Sequence, residues 1–272
     1  MGNSLTYDLV TTRSGAKFYG VGATWTESTP ILTQDTAVLR ILGGDADIDN
    51  FIRTTRSNIL DVKGQVLNDK VKSVKEKYLD TFYYGATASV PEEFNGLQTL
   101  MTSTTYNTVH AGAGTGTALS ILKLQEAIDI IEGWEPSHIV MSKQMRRYIN
   151  VYLDSIGDKF TTVRDNYGKI IAYFRGLQVV TSDHIVNVET AASGAYSAKT
   201  GGANTTIFIL SFDAKACAGI QGESGIETIS LGDLETKDAQ RTRIRWYCGM
   251  KLEDLRSCAK VDGIVAAGTV TA

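Results

Sequence analysis

"NILDVKGQVLNDKVKSVKEKYLDTFYYGATASVPEEFNGLQTL", residues 58–100, is the stretch on which the fold turns. Leu60, Leu67, Val71, Val74, Tyr78 and Phe82 recur at helical spacing and form one apolar stripe, with Asn58 placed to cap it. The pattern predicts a helix over 58–84, with Gly64 as a possible bend. About 26 residues at roughly 1.5 Å each make a rod of about 40 Å, long for a compact domain of this size. Lys63, Lys70, Lys72, Lys75 and Lys77 fall mostly off the stripe, and read as a solvated face before they read as a nucleic-acid contact.

Towards the N-terminus, "KFYGVGATW" and "TAVLRILGG" read as extended segments joined by the polar "TESTPILTQD". Such a two-stranded ribbon is marginal alone in water, and its apolar residues have no evident partner inside the arm. It is expected to pack on something else, another chain included. "GGDADIDNFI" reads as punctuation before the helix.

Towards the C-terminus, "HAGAGTGTALS" (110–120) has the look of a phosphate-holding loop. A P-loop would need a lysine after its last glycine, where Thr117 and Ala118 stand, and an apolar strand before the first, where "TSTTYNTVH" stands. A dinucleotide fingerprint would need a third glycine at Thr117. The stretch therefore reads as a linker, with Thr117 as N-cap of a helix whose Ile121, Leu124, Ile128 and Ile131 face inward. "HIVMS" reads as a strand, with Ser142 capping a helix that carries Met145, Tyr148, Ile149 and Tyr152 on one side. "KIIAYFRGLQVVTSD" reads as a hairpin turning at Arg175 and Gly176, "TIFILSF" as a buried strand and "DAKACAGI" as a short helix. Helices alternating with strands over 118–220 predict one α/β or α+β unit.

In "RTRIRWYCGMKLEDLRSCAKVDGI", Ile244, Trp246, Cys248, Met250 and Leu252 alternate with Arg241, Arg243, Arg245 and Lys251. A tight turn at Glu253 and Asp254 would make this a half-buried hairpin, adding Leu255, Ala259 and Val261 to the apolar face and Arg256 and Lys260 to the basic one. Six cations on one face need acids over them. Asp233, Glu235 and Asp238 are the candidates within the chain; otherwise a second subunit or nucleic-acid phosphates must supply them.

Composition bounds the rest. The 272 residues are 43% hydrophobic, enough for a sizeable core, and a net charge of −3 gives no global attraction to nucleic acid or anionic membrane. No apolar run approaches the roughly 18 residues of a membrane span. Cys217, Cys248 and Cys258 lack metal-ligand spacing, and the assumed hairpin register puts Cys248 and Cys258 on opposite faces. His110, His138 and His184 lie far apart, so no metal site is expected. "MGNSLT" formally fits a myristoylation pattern too short to carry weight. No nucleophile, base and orienting group stand together, so no catalytic residue and no cofactor is assigned.

Taken in order, "GNSLTYDLVTTRSGAKFYGVGATWTES", "LRILGGDADIDNFI", "EKYLDTFYYGATASVPEEFNGLQTL", "HIVMSKQMRRYI" and "YGKIIAYFRGLQVVTSDHI" resemble major capsid proteins of tailed bacteriophages, which share the Hong Kong 97-like or Johnson fold. The resemblance rests on the order and spacing of these pieces, above all the long helix ending in an aromatic-Gly turn before "EFNGL" and the "YFRGLQVV" hairpin. It implies an α+β fold with an extended β-hairpin loop, a long spine helix in a peripheral domain and an α/β axial domain. It divides the chain into 1–46 (short N-terminus and extended loop), 47–118 (peripheral domain), 119–231 (axial domain) and 232–272 (terminal hairpin returning to the peripheral domain). A short or missing N-terminal arm is a departure from the family.

The resemblance further implies a self-assembling icosahedral shell of pentamers and hexamers, enclosing double-stranded DNA contacted without sequence specificity. Separate scaffolding or portal partners and assembly in a host bacterial cytoplasm come with it, as does the absence of membrane and cofactor. Trp25, Arg40, Arg241, Arg243 and Arg245 are expected at subunit contacts, and Gly112, Gly114 and Gly116 as a hinge between domains. Some relatives crosslink a loop lysine, the position of Lys17, to a neighbour's asparagine, but no partner motif is evident. The alternatives are an encapsulin-like compartment and, more distantly, a nucleotide-binding enzyme.

Overall fold

The computed structural model describes residues 2–56, 61–112, 116–190, 198–266 and 269–271. The chain forms two compact units, and neither is contiguous. The larger comprises Met1–Ala37, Gln98–Ala218 and Lys251–Ala272, and the smaller Val38–Leu97 and Gly219–Met250.

The extended arm pairs β1 (Ser4–Thr12) with β2 (Ile31–Val38) as a two-stranded sheet. The expected first strand at 17–25 is instead irregular chain between them. Gly20 and Gly22 interrupt the apolar residues there, and Gly22 takes φ +81, which a β-strand cannot accommodate.

The smaller unit is a sheet in the order β10 (Cys217–Asp233), β11 (Ala239–Leu252), β3 (Arg40–Asp49), together with α1 (Asn50–Arg56) and α2 (Val62–Tyr84). The expected punctuation at 43–52 is thus a strand running into a helix, because Asp49 caps α1 by accepting from Phe51 N at 2.8 Å. The expected long helix is present as α2, capped by Asp61, whose Oδ1 accepts from Gly64 N at 3.0 Å. Asn58 and Leu60 lie outside the described residues. Val74 of the predicted stripe is buried, whereas Val71 is exposed. Tyr78 binds helix to sheet: its ring centroid lies 4.6 Å from that of Trp246 on β11 and 5.6 Å from that of Phe94.

The turn after α2 explains its sequence. Gly85 N donates to Thr81 O and Gly96 N to Gly85 O, both at 2.8 Å, so the chain folds back on the helix end. A Cβ at Gly85 or Gly96 would strike the backbone oxygens of Thr81 and Phe94 or Phe82. Asn95 Oδ1 accepts from Thr87 N and Oγ1 at 3.0 and 2.9 Å, which fixes the intervening loop.

The larger unit is built on a mixed sheet in the order β4 (Thr108–His110), β12 (Ala259–Val265), β9 (Asn204–Leu210), β5 (His138–Met141), β8 (Leu177–Thr181), β7 (Ile170–Phe174), β6 (Thr161–Arg164). β12 is parallel to β4 and antiparallel to β9, and β5 is antiparallel to β9 and parallel to β8. α4 (Ile121–Asp129) and α5 (Lys143–Ser155) share a core with the sheet: Leu124, Ala127, Met145, Ile149 and Leu153 bury against Ile139, Ile207, Ile209 and Val261. Ser142 caps α5 as expected, accepting from Met145 N at 3.2 Å. α4 is capped by Ser120, not Thr117, because Thr117 is held in a bridge to Ile264. The β7–β8 hairpin turns at Arg175 and Gly176 with φ 51 and 87, the left-handed pair of a type I′ turn. The short α3 (Leu97–Leu100) precedes β4.

Two expectations differ from the structure, each through strand pairing that the local sequence does not announce. The terminal hairpin does not form, since β11 pairs with β3 and β12 with β4 and β9. "DAKACAGI" is not a helix, because β10 starts at Cys217 and continues unbroken to Asp233. The two compact units divide the chain differently from the boundaries at 118, 231 and 232: 98–118 and 251–272 group with the larger unit, and 219–250 with the smaller.

Candidate assembly surfaces

The tip of the arm carries apolar side chains without cover. Phe18 and Val21 are fully exposed and Trp25 is 78% exposed. The tip is nonetheless shaped: Trp25 stacks on Tyr19 with centroids 4.2 Å apart, and Tyr19 Oη accepts from Thr26 N and donates to Thr26 O, each at 3.1 Å. Trp25 thus has a partner within the arm and still presents most of its ring to solvent.

The three arginines of β11 are neutralised inside the chain, but not by the acids expected to do it. The antiparallel register sets Arg241 opposite Asp47, Arg243 opposite Asp45 and Arg245 opposite Gly43. The first two pairs are bidentate, with Nε to Oδ1 at 2.7 Å and an Nη to Oδ2 at 2.8 Å in each. Arg245 has no side chain opposite it and reaches Glu227 of β10, Nε to Oε2 at 2.6 Å. Hydrogen bonding by the facing guanidinium holds the Asp45, Asp47 and Glu227 carboxyls below the usual range. Asp238 instead accepts from Asn50 Nδ2 at 2.7 Å, and Asp233 and Glu235 are exposed. The other three cations are engaged elsewhere. Lys251 pairs with Glu253 at 2.6 Å, Arg256 lies 4.3 Å over the Tyr106 ring, and Lys260 is fully buried.

The sequence held the missing signal. Asp45 and Asp47 repeat with period two, as Arg241 and Arg243 do, and an antiparallel register that pairs one pair pairs both. Nothing in the linear order says that these segments are neighbours.

Arg40, opposite Cys248 in the same register, lines a cavity of about 270 Å³ in the smaller unit with Ile41, Leu42, Val90 and Phe94. Its Nε is buried without a hydrogen-bond partner among the described residues. Lys77 and Glu93, an ion pair, also line the cavity.

The glycines expected to form a hinge do not stand between the units. Gly114 lies outside the described residues. Gly112 and Gly116 fall within the larger unit, where Ala111 N donates to Asp262 O and Thr117 N to Gly263 O, both at 3.0 Å. These bonds tie the stretch to β12. Gly116 takes φ +99, and a Cβ there would strike the Asn204 side chain, so the close packing at this position requires glycine. The chain crosses between units after residues 37, 97, 218 and 250.

Buried Cys217, Cys248 and Cys258 are all free thiols. Among the described residues no His, Cys, Asp and Glu group has the makings of a metal site, and no helix is long and apolar enough to cross a membrane.

No family model matches the chain, and no curated protein sequence matches it. Solved structures do. A chain of the holo-SrpI encapsulin complex from Synechococcus elongatus PCC 7942 is 15% identical with a TM-score of 0.72, over 99% of this chain and 85% of that one. The capsid of a native GTA particle gives 13% identity and a TM-score of 0.64, covering 97% and 86%. A chain from Mycobacterium phage Adephagia gives 15% identity and a TM-score of 0.58, covering 100% and 87%. Arm, long helix with its glycine-closed turn, three-stranded sheet and seven-stranded α/β unit together are the Hong Kong 97-like fold, and this chain has that fold.

Proposed function

We propose that this chain is the subunit of a closed icosahedral shell, a major capsid protein of the tailed-bacteriophage kind whose particle encloses double-stranded DNA. The observation that carries this reading is the arm: a folded, stacked tip whose Phe18, Val21 and Trp25 face solvent, on a chain with the fold of shell proteins. Apolar surface of this kind is stabilised when another copy covers it, and repetition by symmetry multiplies each contact. In this reading the larger unit is the axial domain and the smaller the peripheral one, arranged in pentamers and hexamers. Scaffolding and portal proteins are separate partners, assembly takes place in a bacterial cytoplasm, and neither cofactor nor turnover is needed. Trp25 and Arg40 contact a neighbouring subunit. Arg241, Arg243 and Arg245 reach it as members of a neutral ion-pair ladder rather than as bare cations.

A second reading, an encapsulin-like compartment holding protein, draws on the likeness to the encapsulin chain, at a TM-score of 0.72. Electron microscopy of the purified protein beside its sedimentation profile tests both readings. Polyhedral shells are expected. A single species of subunit mass at every concentration overturns both, and nuclease-protected DNA inside the shells separates the first from the second.

A further inference from the structure

The larger unit buries a polar cluster that the assembly reading does not use. Gln98, Glu189, Thr206, Lys260 and Asp262 are each at most 1% exposed. The fold converges them: Lys260 and Asp262 lie on β12, Thr206 on β9, Gln98 on α3, and Glu189 is held by backbone bonds to Asn204. Lys260 Nζ donates to Gln98 Oε1 at 2.8 Å, so the amine lies against the side-chain carboxamide. Gln98 Nε2 in turn donates to Thr206 Oγ1 at 2.8 Å and lies 3.4 Å from Glu189 Oε2, which also accepts from Thr206 Oγ1 at 2.6 Å. On the other side of the amine, Asp262 Oδ2 stands 3.9 Å from Nζ with no hydrogen-bond partner among the described residues. Asp262 Oδ1 is held by His110 Nδ1.

An amine, an amide carbonyl and two carboxyl groups, enclosed away from water, are the parts of an acyl transfer. We propose that Lys260 and Gln98 form a site of self-modification within a single chain, closing an isopeptide bond between Nζ and Cδ with release of ammonia. Redistribution of the ammonium proton within the cluster leaves a neutral amine, one carboxylate and one carboxylic acid. The neutral Nζ attacks Gln98 Cδ and the new N–C bond forms. The proton that Nζ sheds goes to Asp262 Oδ2. Glu189, beside Nε2, delivers a proton to the departing nitrogen, and the Cδ–Nε2 bond breaks to give ammonia. One proton is taken up and one given, so no oxidant, reductant or cofactor is required. Burial lowers the Lys260 pKa from its ordinary value to about 8, which brings the neutral amine within reach. Burial likewise raises that of Asp262.

Mass spectrometry of the denatured, purified full chain tests this without any variant. The expected mass is one ammonia below that of the sequence, with Lys260 and Gln98 recovered in one branched tryptic peptide. Gln98→Met removes the acyl group and should hold the full mass while circular dichroism stays native. Glu189→Gln should slow or abolish the loss of ammonia. A folded chain that keeps its full mass after prolonged incubation overturns the proposal. So does ammonia lost elsewhere, with Lys260 and Gln98 in separate peptides.

Discussion

Replacing Trp25 by alanine separates a role in assembly from a role in folding. The ring is 78% exposed, so of the roughly 250 Å² a tryptophan can bury, about 190 Å² is left for a neighbour to cover. At about 25 cal/mol per Å² full coverage stabilises each contact by about 4–5 kcal/mol, and by about 3–4 kcal/mol relative to alanine. In a closed shell every subunit gives one arm and receives one, so the loss counts once per subunit. At about 1.4 kcal/mol for each tenfold, the threshold concentration for assembly should rise by roughly a hundredfold to a thousandfold. Within the isolated subunit the change removes only the stack on Tyr19, about 0.5–1.5 kcal/mol. The assay is the threshold concentration by sedimentation, with circular dichroism as the folding control. A folded Trp25→Ala chain that assembles at the wild-type threshold would refute the reasoning.

The β3–β11 ladder makes a second prediction: Arg243→Asp sets two carboxylates opposite each other and should lower the thermal midpoint, while adding Asp45→Arg should recover most of the loss in a double-mutant cycle. Because Asp45 and Asp47 titrate lower in the folded chain than in the unfolded one, their contribution is complete above the unfolded carboxylate pKa and is lost as pH falls through the folded values. Acid titration of the Arg243→Gln, Arg241→Gln chain should therefore show a weaker pH dependence. Gly116→Ala places a Cβ against Asn204 at a positive φ and should cost more than about 1 kcal/mol by chemical denaturation, whereas a free hinge would tolerate it. Ser142→Ala removes the cap of α5 and its bond to Asn187, at a cost of about 1 kcal/mol.

What could be read from the sequence was what local chemistry decides. α2 and its glycine-closed turn, Ser142 as a cap, and the Arg175-Gly176 hairpin depend on residues within a few positions of one another. The partners of β11 and β12 were beyond that reach. The sequence "SCAKVDGIV" places Lys260 and Asp262 in a strand buried on both faces, where distant Gln98 and His110 supply hydrogen bonds that make such burial tolerable. Reading alternation as one basic face holds for Arg241, Arg243 and Arg245 and fails for the buried Lys260, because periodicity reports which side a residue is on and not what covers that side. The surface residues divide in the same way. Trp25 stood out as an apolar residue of the arm, though its stack on Tyr19 did not, whereas Asp45, Asp47 and Glu227 gain their significance only from a register that joins segments some two hundred residues apart or crosses a sheet. Gly112 and Gly116 show a further limit, because a glycine that permits motion and one that permits close approach look alike in a sequence.

The position of β12 has a consequence for synthesis. It is the last strand in chain order among the described residues, yet it lies inside the seven-stranded sheet, between β4 and β9. A chain growing on the ribosome exposes its arm early, but cannot complete the sheet until Ala259–Val265 has emerged. Until then β4 and β9 have open edges and the core around Ile207 and Ile209 is uncovered. A nascent or prematurely terminated chain that lacks Ala259–Val265 is therefore left with an unfinished sheet and bare strand edges on which another chain can pair.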